Sequence, residues 1–209
     1  MGLGGGKLFA DLPKPDLVLL THLHADHFDP ATLEAIVPAG DKPTIIAPAS
    51  VAEKISETLR GKTKVKILAN GEKTEVEGIT IEAVPAYNIA PEKAKFHPKG
   101  RDNGYVLTMG GKKIYVAGDT EDTAEMRALK GIDVAFLPMN LPYTMSVEKA
   151  AEAIRQVKPK IVYPTTAATT ARRRTSSSSE SWSVTISASK SGVGTGIPSG
   201  NGRVRLGTV

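Results

Sequence analysis

Four side chains able to bind a transition metal fall within six residues, His22-Leu23-His24-Ala25-Asp26-His27, and three of them are histidines in a chain that has only four. The short apolar run Leu17–Thr21 leads into this cluster and Asp29-Pro30 follows it. That places it on a connection between a strand and a helix, with Asp29 as N-cap and Pro30 at the first helical position. His22 and His24 are two apart, so in an extended segment they face the same side. Asp26 and His27 come after a turn and point to an adjacent position. Neutral imidazole and carboxylate are the ligands that Zn²⁺ or a similar ion prefers. Because the chain contains no cysteine, disulfides and thiolate sites are excluded, and any metal must be held by His and carboxylate.

Up to Pro164 strand-like and helix-like segments alternate. Thr44–Ala47 and Val65–Leu68 read as strands, and Ser50-Val51-Ala52-Glu53 between them is a capping box that opens a helix. Glu75–Val84 alternates about Gly78, as a bent strand or a tight hairpin. Tyr105–Met109 and Lys112–Ala117 flank Gly110-Gly111, a strong hairpin signal. Glu121–Lys130 reads as a helix stopped at Gly131. Asp133–Leu137 then reads as a strand, Ser146–Val157 as a helix capped by Ser146, and Lys160–Tyr163 as a strand. The fold class is α/β, a mixed sheet covered by helices.

A length of 209 residues suits one large domain or two small ones. The formal charge of +5 hints at nucleic acid, but its distribution argues otherwise. Residues 1–164 carry 21 basic and 21 acidic side chains, while residues 165–209 carry six basic residues and one acid, Glu180. A neutral body has no electrostatic footprint for a phosphate backbone. Apolar runs such as Leu17–Leu20 and Val134–Leu137 are too short to cross a bilayer, and Met1–Phe9 does not read as a signal peptide. The expectation is a cytoplasmic protein with a small-molecule substrate, and without nucleic-acid or membrane partners.

The H-x-H-x-D-H cluster resembles the signature of the metallo-β-lactamase superfamily, and further matches follow in order. Val84-Pro85-Ala86-Tyr87-Asn88 precedes a loop containing His97. Gly104-Tyr105-Val106-Leu107 leads through the hairpin to Ala117-Gly118-Asp119-Thr120, and Pro142-Tyr143-Thr144-Met145 precedes a helix with Ala150 and Ala151. Together these resemble the branch that includes ascorbate-6-phosphate lactonase-like proteins, over roughly residues 7–164. The resemblance implies an αββα sandwich and a binuclear centre. His22 and His24, with His97 as third ligand, would bind one metal; Asp26 and His27 would bind a second; Asp119 would bridge them. Two Zn²⁺ per chain are expected, with Mn²⁺ also compatible. Asp26 and Asp119 would be catalytic, around a shared water that attacks an ester, lactone, amide or phosphodiester. His97 also reads as an exposed histidine of a Lys-rich loop, and Asp119 as a turn or N-cap residue. Lys99 and Arg101 read either as attractors of an anionic substrate or as a solvated basic loop.

Two departures from the family pattern stand out. The resemblance implies a strand pair and an Ile-Asp-Pro-like segment before the cluster, which here begins at residue 22. An exposed sheet edge is the expected result, and with it a tendency to homo-oligomerise. The family also places a last histidine after the strand that here ends in Val162-Tyr163-Pro164, in a Pro-x-His-x-Gly context. Thr165-Thr166-Ala167-Ala168 stands there instead, and no histidine follows. The alternative to an active enzyme is therefore a non-catalytic or impaired metal-binding domain. Residues 165–209, with ten Ser, eight Thr and six Gly, read as a polar tail distinct from a domain at 1–164. Reading one nucleotide earlier allows Pro-x-His-x-Gly with His at position 166, so this tail has the texture of an out-of-frame translation.

Overall fold

The structure, a computed structural model, describes residues 14–37, 40, 42–167, 185–188 and 204–208. Two sheets face each other with helices on both outer sides. The first is built on β1 (Leu17–Leu19), β2 (Thr44–Ala47) and β3 (Lys64–Ile67), all parallel. On the far side of β1 lies β11 (Val204–Thr208), also parallel, with β10 (Thr185–Ala188) antiparallel to it. The second sheet starts as an antiparallel meander of β4 (Lys73–Val76), β5 (Ile79–Ala86), β6 (Asp102–Met109) and β7 (Lys112–Val116). It ends with β8 (Val134–Met139) and β9 (Ile161–Ala167), parallel to β7.

Side-chain alternation explains the layering. Leu17 and Leu19 of β1 point inward, where they join Ile46, Ile81, Tyr105, Leu107 and Phe136 from both sheets. Val18 and Leu20 point outward, against Leu33 and Ile36 of α1 (Pro30–Ile36) and Leu59 of α3 (Glu57–Lys62), with Val51 of α2 (Ala49–Ala52). A strand buried on both faces reads as a continuous apolar run, as β1 does. On the other side, Val106, Tyr115, Ala135 and Leu137 pack against Met126 of α4 (Ala124–Arg127) and against Ala150, Ala153 and Val157 of α5 (Val147–Val157). The result is the expected αββα sandwich. Among the described residues no helix is long and apolar enough to cross a membrane.

Several local expectations hold and others need correction. Asp29 caps α1 by accepting from the Thr32 amide, and Ser146 caps α5 by accepting from Lys149. Glu75–Val84 is a hairpin, turning at Glu77 and Gly78, both with positive φ. The second hairpin turns at Gly110-Gly111, again both positive, as the twist of paired strands requires. Ser50 is not an N-cap: α2 starts at Ala49 after Pro48, and the Ser50 hydroxyl donates to the Arg101 carbonyl. The helix expected over Glu121–Lys130 is only Ala124–Arg127, capped by Thr123, because Thr120 and Glu121 are bonded to the Tyr87–Ala90 segment. The outer edge of β1, expected to be bare, pairs with β11. Part of the polar tail is thus strand, while residues 168–184 and 189–203 lie outside the described residues.

Candidate metal centre

The carboxyl end of β1 delivers Leu20, Thr21 and His22 to the point where the two sheets meet. Leu20 donates its amide to Ile46, and the Thr21 carbonyl accepts from Asn103 at the start of β6. The chain then reverses sharply, since the amides of His27 and Phe28 both donate to the His24 carbonyl. This turn swings His27 back beside His22, with ring centroids 4.1 Å apart. Asp119 arrives from the second sheet just after β7. Gly118 before it has a φ of +65°, and a Cβ there would stand 3.0 Å from both the Asn103 carbonyl and the Thr21 Cβ. Only glycine lets the Asp119 turn approach the His22 strand this closely. His97 comes from the loop between β5 and β6, whose base is closed by the Asn88 amide donating to the His97 carbonyl.

These elements converge. The ligand-capable atoms of His22, His24, His97 and Asp119 all lie within 4.8 Å of one another. His22, His97 and Asp119 are buried and His24 is partly buried. His27 adjoins the group through Asp119, its Nε2 being 3.4 Å from Oδ1, while Oδ2 of the same carboxylate is 3.6 Å from His97 Nε2. Asp119 therefore sits between His27 and His97. Asp26 stands furthest out, 3.6 Å from His27 Nε2, with 54% of its side chain exposed. All six residues expected from the sequence are brought into one neighbourhood, but Asp26 and His27 are not part of the compact foursome. Asn140 and Tyr143 lie on the adjoining loop, and Tyr143 stacks edge-on against Phe96.

The donor set fits a metal ion. His22 Nε2, His97 Nε2 and Asp119 Oδ1 are buried without a hydrogen-bond partner. An orphaned buried polar atom is costly, and these three belong to residues whose ligand atoms lie within 4.8 Å of one another, a fitting place for a cation. Two of the imidazoles are also fixed from behind, an arrangement that orients metal-binding histidines. Thr21 Oγ1 lies 3.0 Å from His22 Nδ1, and Asp102 Oδ2 lies 3.4 Å from His97 Nδ1. Asp102 is in turn held by both Nε and Nη2 of Arg101, each at 2.8 Å. Neither Thr21 nor Asp102 is marked by the sequence motif. Arg101 read either as an attractor of an anionic substrate or as part of a solvated basic loop; in the structure it holds the buried Asp102 behind His97.

Electrostatics favour the ligand state. Burial, reinforced by His27, His97 and His24, drives the His22 pKa far below the usual imidazole range, so it is neutral. His24 is lowered as well, by burial and then by His97 and Arg101. For His27 burial works in the same direction, but contact with Asp119 and the charges of Asp119 and Asp26 outweigh it and raise the pKa. Burial likewise works to raise Asp119, yet His27 and then the charges of His97 and His24 keep it below the usual carboxylate range. The shifts of His27 and Asp119 share one cause, the 3.4 Å approach of His27 Nε2 to Asp119 Oδ1.

A family model described as the beta-lactamase superfamily domain matches residues 5–165. A metal-dependent hydrolase of Pyrococcus abyssi is 37% identical over 158 residues, covering 74% of this chain and 67% of its own. A solved protein of Parabacteroides distasonis, described as a metal-dependent hydrolase, superposes with a TM-score of 0.66 at 48% identity, covering 75% of this chain and 67% of that one. Igni18, a metallo hydrolase of Ignicoccus hospitalis, gives 0.56 at 30% identity, with 72% and 63% covered. The chain spans about two thirds of the length of the curated relatives it matches.

Proposed function

The chain belongs to the metallo-β-lactamase superfamily, and from that premise we propose that it is a metal-dependent hydrolase acting on a small molecule with an ester, lactone, amide or phosphodiester bond. The observation that carries this reading is the convergence of His22, His24, His97 and Asp119 with three of their buried polar atoms unpaired. A divalent ion held there, Zn²⁺ or Mn²⁺, supplies Lewis acidity toward the carbonyl or phosphoryl oxygen and lowers the pKa of water. His22 and His24 present neutral imidazoles, and Thr21 and Asp102 keep the rings of His22 and His97 aimed inward. Asp119 lies between His97 and His27 and would be the ligand common to two ions held there. Asp26, at the open flank, would help to orient the attacking water through its carboxylate. No serine or cysteine nucleophile is required. The resemblance to ascorbate-6-phosphate lactonase-like proteins makes lactones and esters the first substrates to test, in a cytoplasmic setting.

The experiment is to strip the purified full chain with a chelator, reload it with Zn²⁺ or Mn²⁺, and assay a panel of esters, lactones and phosphodiesters. Turnover that disappears on stripping and returns on reloading is expected. Turnover indifferent to chelation, or none with a loaded centre, overturns the hydrolase reading. A second reading, a one-metal domain without turnover, is favoured by the fact that the compact foursome excludes Asp26 and His27. One ion per chain and no hydrolysis is its outcome.

A further inference from the structure

The loop that carries His97, residues 87–101, contains neither helix nor strand. Its shape must therefore come from partners outside it. Much of that work falls on Glu121, whose side chain is fully buried. One carboxylate oxygen accepts from the backbone amides of Ile89 at 2.8 Å and Ala90 at 2.7 Å. The other faces Lys93 Nζ at 3.1 Å and Lys149 Nζ at 3.4 Å. Lys93 also donates to the Thr144 carbonyl, so the next loop is drawn into the same knot. Beside Glu121, the Thr120 hydroxyl donates to the Tyr87 carbonyl and accepts from the Tyr87 amide, while the Glu121 amide donates to the same carbonyl.

A buried carboxylate is tolerated only when charge and hydrogen bonds compensate it, and Glu121 has both in full. What makes it more than a stability feature is where it sits. It lies two residues after Asp119 and grips the base of the loop that presents His97. The span it closes is the one between two residues of the candidate metal centre, His97 Nε2 and Asp119 Oδ2, which stand 3.6 Å apart. We propose that Glu121 is a positioning residue of the metal centre: it clamps the His97 loop to the Asp119 turn and so sets the separation of those two ligands. This rests on the metal-centre reading above.

The test measures metal rather than turnover. The full chain is stripped and reloaded, Zn²⁺ affinity is measured by competition with a chromophoric chelator, and the Co²⁺ form is examined by visible absorption. Glu121→Ala is expected to weaken Zn²⁺ binding about tenfold or more and to shift the Co²⁺ bands while the far-UV circular dichroism stays native. Lys149→Met, which removes only the more exposed cation, is expected to weaken it about two- to threefold by the same positioning effect. Asp133→Asn breaks ion pairs with Lys160 and Lys112 far from the centre and serves as the control; it should lower thermal stability but leave Zn²⁺ affinity and the Co²⁺ spectrum unchanged. If Glu121→Ala does not fold, Lys93→Met and Glu121→Gln carry the test with the same two readouts. Any folded clamp variant with wild-type affinity and spectrum overturns the proposal. A wild-type chain that takes up no metal overturns the metal-centre reading instead, which is a separate result.

Discussion

His22 and His97 are fully buried and each is oriented from behind, by Thr21 and by Asp102, whereas His27 lies against the His22 ring and two carboxylates and Asp26 is about half exposed. The first half of the centre is assembled by three parts of the chain: the carboxyl end of β1, the loop before β6 and the turn after β7. All of them are anchored by backbone bonds. The proposed second half, Asp26 and His27, comes from a single turn and adjoins the first through Asp119. Backbone bonds between distant strands thus keep the buried ligand-capable atoms of His22, His97 and Asp119 together. The His27–Asp26 flank is built from one local turn and reaches the others through the Asp119 carboxylate.

The largest effect should come from the residue the halves share. Asp119→Ala is expected to abolish metal uptake, from about one ion or more per chain to close to none, as read by elemental analysis after dialysis. If one tightly held ion survives, the first half needs only its histidines and the comparison breaks. Next is the flank itself. Thr166 lies at the end of β9, in register with Pro138 of β8. If the family's last histidine belongs at this position, Thr166→His should raise the metal content by about one ion per chain. An unchanged content would mean that the second half is limited by its turn and not by a missing ligand.

How much of this was legible in the sequence follows the same divide. The cluster from His22 to His27 could be read because donor-rich residues at close spacing carry their chemistry in their identity, whereas His97 and Asp119 entered only through the family resemblance. The layering could be read because β1 is apolar on both faces and the hairpin turns hold paired glycines or Glu77-Gly78. Thr21, Asp102 and Glu121 could not, since their meaning lies in burial against partners far along the chain. Glu121 looked like the first residue of a helix, Arg101 like an anion attractor or a solvated basic residue, and Asp102 carried no reading at all. The strand that covers β1 was illegible too, because parallel pairing with residues 204–208 is a long-range event with no local signature.

Orientation from behind should have a measurable effect of its own, smaller than the loss of a ligand. Asp102→Ala frees His97 Nδ1 and leaves Arg101 without its carboxylate; Zn²⁺ affinity is expected to fall about 10- to 100-fold, with one ion still bound at saturating metal. An unchanged affinity would show that packing alone aims His97.

The smallest change in metal binding belongs to Asp26. Its carboxylate is solvated and makes one contact, to His27, so attraction to a cation is screened by water. A solvent-exposed pair of this kind is worth about 1 kcal/mol or less. Asp26→Asn should therefore leave the first ion in place, with affinity altered by less than about fivefold, since 1.4 kcal/mol corresponds to about tenfold. If turnover falls far more than affinity in that variant, the exposed flank acts on protons while the buried half holds metal. If affinity collapses as well, Asp26 is a structural ligand despite its exposure, and the two halves are one site.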